Sequence, residues 1–187
     1  FYKGKVIMYK LYNNDFRNVI SQMENCSVDL IVTDPPYRVT PRGNAGNAGG
    51  MLQKEINKKG MVFKHNNIKI EEFVPELYRV LKEGSHFIKS LIWDKGNKIM
   101  GQCYMSQFEY ILFFRKGKHK KINNCGTSDI LSIPNKKTKG EDGKNIHDTE
   151  KPVKLMQILI ENSSQEGDVV FDPFTGSGST GVACMNT

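Results

Sequence analysis

The sequence predicts an open α/β fold built on a mostly parallel central sheet. Three observations predict it. Short apolar runs rich in β-branched residues alternate with stretches of helical period. One run, residues 28–33, is β-rich and largely apolar, as a strand buried on both faces is, and it ends at Asp34-Pro35-Pro36-Tyr37. Another, residues 169–171, leads into Asp172-Pro173-Phe174-Thr175-Gly176-Ser177-Gly178-Ser179-Thr180-Gly181, a glycine-rich turn that opens a helix. The length of 187 residues suits one domain, and no internal repeat divides it.

The elements follow in order. Residues 6–11 read as a first short strand. Asp15 suits an N-cap, with Phe16, Val19, Ile20 and Met23 as the buried face of a short helix. The prolines after residues 28–33 stop the ladder, so Asp34 to Tyr37 lie at that strand's carboxyl end. Residues 40–64 are rich in glycine and asparagine and predict a long loop. Residues 71–82 form an amphipathic helix whose shared face is Phe73, Leu77, Val80 and Leu81, with Gly84 near its end. Residues 86–93 and 108–114 read as strands. Residues 116–145 predict a second long loop, interrupted only by the apolar residues 130–133. A helix over 151–162 starts on Pro152 and buries Val153, Met156, Leu159 and Ile160.

Composition narrows the class. The charged fraction of 25% excludes a wholly disordered chain. No apolar run approaches the roughly 18 residues of a membrane span, and the start of the chain is no secretory signal. Cys26, Cys103, Cys125 and Cys184 are scattered without a CxxC pair, so no metal site is expected and a reducing, cytoplasmic setting is. The net charge of +7 is uneven: residues 38–64 carry +5 and residues 115–144 carry +6, on a body of −4. Two basic segments on an acidic body fit an anionic polymer as partner, through counterion release, although solvated surface lysines fit the charge equally.

Two motifs carry chemistry. In Asp34-Pro35-Pro36-Tyr37, a carboxylate and a carbonyl freed by the next proline's missing N–H lie beside an aromatic ring. Such a group suits a planar ligand bearing an amine. It equally suits a turn in which Asp34 caps and Tyr37 packs. In the glycine turn, Gly176 and Gly178 permit positive φ and close ligand approach, with the next helix offering free N–H groups. It lacks the lysine of a P-loop and departs from GxGxxG, which disfavours nucleoside triphosphates and NAD. A plain strand–helix turn is the alternative. Both motifs sit at carboxyl ends of predicted parallel strands, where open α/β sheets bind ligands.

Taken together, these motifs resemble those of the DNA amino-methyltransferases that use S-adenosylmethionine. The likeness is narrower still to the group in which DPPY precedes FxGxG. Residues 28–37 resemble the family's catalytic strand and loop, and residues 77–84 the following helix. Residues 92–95 and 109–117 resemble later strands, and His147-Asp148-Thr149-Glu150-Lys151-Pro152 its H-x-T-E-K-P segment. The resemblance implies a Rossmann-like methyltransferase fold with helices on both faces of the sheet. It implies S-adenosylmethionine as cofactor, double-stranded DNA as partner, and neither membrane nor metal. The oligomeric state is left open between monomer and homodimer.

It also implies roles. Asp34 and the Pro35 carbonyl would accept the two hydrogens of an exocyclic amine on a flipped base, and Pro36 and Tyr37 would complete the catalytic loop, Tyr37 by stacking. Asp172, Pro173, Phe174, Gly176, Ser177 and Gly178 would surround the cofactor. His147, Thr149 and Lys151 would hold its carboxylate or neighbouring atoms. Arg38, Arg42, Lys54, Lys58, Lys59, Lys118, Lys120 and Lys121, in basic loops at about 38–65 and 115–145, would contact DNA. Aspartate at the first motif position leans toward adenine over cytosine. An RNA or protein-glutamine methyltransferase and a non-catalytic DNA-binding remnant are the other readings. The resemblance further expects a strand–helix pair of about 30 residues between Gly84 and Trp93, and a ribose-binding acid after the last helix. Residues 1–187 are therefore expected to be one incomplete catalytic domain.

Overall fold

The structure is a computed structural model. It describes residues 8–36, 68–82, 85–99, 104–116, 121–145, 147 and 149–187. Among these, the order is α1 (Phe16–Ile20), β1 (Leu30–Ile31), α2 (Ile70–Val80), β2 (Ser85–Ile99), β3 (Ser106–Lys116), β4 (Ile130–Ser132), α3 (Val153–Ser163), β5 (Val170–Phe171) and α4 (Ser179–Asn186).

The expected α/β class is observed. Among the described residues its strands fall into two ladders. In the first, β1 pairs in parallel with β5, Leu30 opposite Val170 and Ile31 opposite Phe171. In the second, β2 lies between β3 and β4. It pairs antiparallel with β3 and parallel with β4, where Trp93 faces Leu131. Pairing among the described residues is partly parallel, because residues 85–99 and 106–116 fold back on each other as a long hairpin.

Three apolar clusters fix these parts. Phe16, Ile20, Val28, Phe73 and Val80 form one, with Phe174 packed against it. Asp15 caps α1 as expected, accepting the N–H of Arg17. Arg79 of α2 closes the other end of α1, donating to the carbonyls of Ile20 and Met23. Val32, Met156, Ile160 and Ala183 form a second cluster, which seats α3 and α4 behind β1 and β5. Trp93, Leu131 and Leu155 form the third, which joins α3 to the β2 ladder. The predicted inward face of the helix over 71–82 is the observed one; that of the helix over 151–162 also includes Leu155, which the sequence reading left out.

Two expectations are corrected. In the strand expected over 6–11, the described residues 8–11 form no strand, and Met8, Tyr9 and Leu11 are exposed. β-rich composition makes no strand without a ladder partner. The second basic segment is not loop throughout. Its apolar residues 130–132 add β4 to the sheet, because burying Leu131 against Trp93 and Leu155 gives this piece a core of its own.

Candidate active site

The pairing of β1 with β5 brings the two motifs together. Thr33 follows β1, and its hydroxyl donates to Asp172 Oδ1 at 2.8 Å. The hydroxyl of Thr180, in α4, donates to Oδ2 at 2.8 Å, and the Phe174 N–H to Oδ1 at 3.1 Å. Asp172 therefore ties the end of β1, the glycine turn and α4 into one unit. Burial pushes its carboxyl above the usual range; the three hydrogen bonds oppose that rise, and nearby Asp34 adds to it.

The turn itself depends on glycine. Gly176 has φ of 52° and Gly178, the N-cap of α4, has φ of 81°. Both lie in the left-handed region that other residues enter only at a cost. A Cβ on Gly176 would meet His147 Cε1 at 3.9 Å, an ordinary contact, so it is the positive φ that calls for glycine there. Ser179 fastens the 147–151 segment, donating to the Lys151 carbonyl at 2.7 Å. His147 Nδ1 and the Thr149 hydroxyl lie 3.3 Å apart.

Around these residues lies a cleft of about 280 Å³. Asp34, Pro35 and Pro36 form one wall, and Asp172 with residues 174–177 another. His147, Thr149, Lys151, Met156, Ser179 and Thr180 complete it. The structure thus collects into one cleft ten of the thirteen catalytic and cofactor-binding residues expected from sequence. Pro173 follows Asp172 in the turn, and Gly178 begins α4 beside it. Tyr37 lies outside the described residues, as do Arg38, Arg42, Lys54, Lys58, Lys59, Lys118 and Lys120. Lys121 is described and exposed.

The electrostatics hold what the sequence reading missed. Lys151 Nζ lies 2.8 Å from Asp34 Oδ2 and 3.4 Å from Glu109 Oε2. The other Glu109 oxygen lies 3.2 Å from Nζ of Lys95, whose side chain is only 3% exposed. Both ammonium groups stand over the Trp93 ring, at 5.9 and 6.0 Å from its centre. Lys137 stands nearby, donating to the Glu150 carbonyl. Burial, and then the charge of Lys151, hold its amine below the ordinary lysine range. One signal for Glu109 and Lys95 was available. In a strand, alternate residues face the same way, and these charges occupy the inward register of β3 and β2, beside Ile111 and Trp93.

A proline-flanked carboxylate and a glycine turn at the carboxyl ends of adjacent parallel strands define an α/β domain of the class whose cleft lies at the strand ends. Comparison with known proteins gives the class a family. The family model described as DNA methylase matches residues 61–187. The chain belongs to this N6/N4 DNA methylase family. The type II methyltransferase M2.DpnII of Streptococcus pneumoniae is 29% identical over 231 residues, spanning 96% of this chain and 85% of that protein. Two solved structures show the same fold. The M1.HpyAVI–SAM complex matches with a TM-score of 0.63 at 21% identity, over 94% of this chain and 87% of that one. The cytosine-N4-specific PvuII DNA methyltransferase matches with a TM-score of 0.65 at 16% identity, over 94% and 77%. Among the described residues, no helix is long and apolar enough to cross a membrane, and no His/Cys/Asp/Glu group is arranged to hold a metal.

Proposed function

We propose that the chain transfers the methyl group of S-adenosylmethionine to the exocyclic amine of a base in double-stranded DNA, and that the base is adenine, modified at N6. One observation carries the reading: Asp34 and Pro35 share a cleft with the glycine turn that follows the neighbouring parallel strand. Membership of the DNA methylase family supports it. Relatives named type II methyltransferases support a modification role.

The residues present fit the cofactor. The Lys151 ammonium in the cleft suits its carboxylate, and the position of a Cβ on Gly178 is open space. The cleft volume lies at the low end of the roughly 300–1,000 Å³ usual for small-molecule sites. When bound, S-adenosylmethionine supplies an electrophilic methyl carbon. The chain's own residues do the rest. Asp34 accepts one hydrogen of the target amine and the Pro35 carbonyl the other, which directs the nitrogen lone pair out of the ring plane. Asp34 also stands where the proton shed after methylation must go. Tyr37 stacks on the flipped base, worth roughly 1–3 kcal/mol. No covalent enzyme intermediate is needed, so no cysteine takes part. Positioning and fixed charge supply the rate.

Incubation with labelled S-adenosylmethionine and mixed-sequence duplex DNA, followed by digestion to nucleosides, tests the reading. Label in N6-methyladenine is the expected result. A second reading, N4 of cytosine, has the breadth of the family behind it, since the same two acceptors suit either amine; label in N4-methylcytosine would establish it. DNA binding with neither label nor cofactor binding by calorimetry would leave a non-catalytic remnant.

A further inference from the structure

We propose that the face of the β2–β3–β4 ladder turned away from α3 is a dimer surface, covered by the same face of a second copy of this chain. The inference is independent of the function proposed above.

The register sorts the side chains. On β3, Phe108, Tyr110, Leu112 and Phe114 are exposed, while Glu109, Ile111 and Phe113 between them are half-buried. Alternate residues of a strand share a face, and the inner face is the one whose Ile111 packs against Trp93, Leu131 and Leu155. Across the hairpin, Phe87, Ser90, Ile92 and Asp94 lie opposite Phe114, Leu112, Tyr110 and Phe108. Ile130 of β4 lies beside Ile92. The outer face is therefore one continuous apolar surface, tied by the edge-on ring pairs Phe87–Phe114 and Phe108–Tyr110 at 5.6 and 5.2 Å. Six of its side chains, Phe87, Phe108, Tyr110, Leu112, Phe114 and Ile130, are 43–66% exposed.

Area, shape and charge name the occupant. Six such side chains, each about half exposed and of about 200 Å² when fully so, present about 600 Å². That matches the largest apolar patches of typical monomers, about 300–600 Å², and approaches the roughly 800 Å² that each partner contributes to a stable interface. The profile is self-complementary. The β3 side chains stand as a ridge beside the smaller Ser90 and Ile92 of β2. A two-fold axis along the strands, between β2 and β3, sets each copy's ridge over the other's β2, and two sheets pack face to face in this way about 10 Å apart. A surface that meets itself also sets like charges against each other. Among the described residues the outer register carries one charge, Asp94, at its end, where the Gly96 N–H and the Gln107 amide hold its carboxylate. A nucleic-acid platform combines its rings with cations; here the nearby Lys89 is paired with Asp129 at 2.7 Å.

The test is the state of association of the whole chain, with neither cofactor nor DNA present. Sedimentation equilibrium of wild type is expected to give twice the chain mass at micromolar concentration, with tighter association as sulfate is added. A wild type that stays monomeric up to about 100 µM, beyond the micromolar-to-picomolar range of interfaces of standard area, overturns the proposal. So does a dimer that loosens as salt rises. Leu112→Asp is expected to raise the dissociation constant at least about a hundredfold, since the two-fold buries the unpaired carboxylate twice. Unchanged association in that variant, with its urea midpoint near that of wild type, overturns the proposal. If Leu112→Asp fails to fold, Tyr110→Lys is read in the same way. Benzoylphenylalanine in place of Tyr110 locates the contact without adding a charge. Irradiation is expected to join two chains through the tryptic peptide of residues 90–95, which ends on Lys95. Products confined to one chain, which would show the face covered from within, or a joined peptide from another surface, overturn the proposal.

Discussion

Replacing Thr33 with valine keeps the side-chain shape and removes one hydroxyl, the donor to Asp172 Oδ1 at 2.8 Å. A hydrogen bond to a charged group contributes about 1.5–3 kcal/mol. Asp172 keeps two other donors, Thr180 and the Phe174 N–H, so the lower part of that range applies, about 2 kcal/mol at neutral pH. The cost should depend on pH in a definite direction. Burial already raises the Asp172 carboxyl above its unfolded value. A carboxyl raised by folding binds protons more readily in the native state, so its contribution to stability is lost as pH rises through the raised value. Thr33→Val removes a bond that opposed the rise. It raises the carboxyl further and deepens the loss at neutral pH. At acid pH, where Asp172 is protonated in both proteins, only a neutral hydrogen bond of about 1 kcal/mol is missing. Urea unfolding of wild type and Thr33→Val at neutral and at acid pH measures both gaps. A difference below about 0.5 kcal/mol at neutral pH, or one that fails to shrink in acid, would refute the role given to Asp172. Thr33→Ser restores the donor and should recover most of the loss.

Three further outcomes are expected. Asp34→Ala should abolish methyl transfer while leaving cofactor affinity, read by calorimetry, nearly intact; equal activity in the variant refutes the role of Asp34 as amine acceptor. Gly176→Ala should cost about 1–2 kcal/mol, because its φ of 52° is left-handed, and should weaken cofactor binding more than Gly181→Ala, a glycine with open space about its Cβ position. Leu131→Ala should cost about 2–5 kcal/mol in chemical denaturation, because Leu131 is buried in the cluster with Trp93 and Leu155. A loss near zero there would show β4 to be only loosely docked.

Much of this architecture was legible in the sequence, for identifiable reasons. The Asp15 cap, the helix faces around Val80 and Met156, and the meeting of residues 34 and 172 follow from local rules: capping, period and the carboxyl ends of strands. The strand over residues 8–11 did not form, because a ladder partner is a property of the whole chain and not of six residues. β4 was half visible as an apolar interruption in a basic stretch. The register that turned its Leu131 inward required the position of Trp93. Lys151 was placed at the cleft by resemblance. Its attachment to Asp34 and Glu109 depends on how three distant segments are brought together, and no spacing along the chain encodes that.

The pairing of β1 with β5 also has a consequence in time. Thr33 and Asp172 touch although 139 residues separate them. At the roughly 5–20 residues per second of synthesis, a chain that has just produced the Asp34 loop waits about 7–28 s for the strand that must lie beside it. During that interval β1 lacks its β5 neighbour and the cleft has only one wall. A chain interrupted before residue 170 would contain the Asp34 loop without the glycine turn. The order of the motifs along the polypeptide thus leaves the site unassembled until the second motif has been made, and contacts of such long range also predict slow final folding.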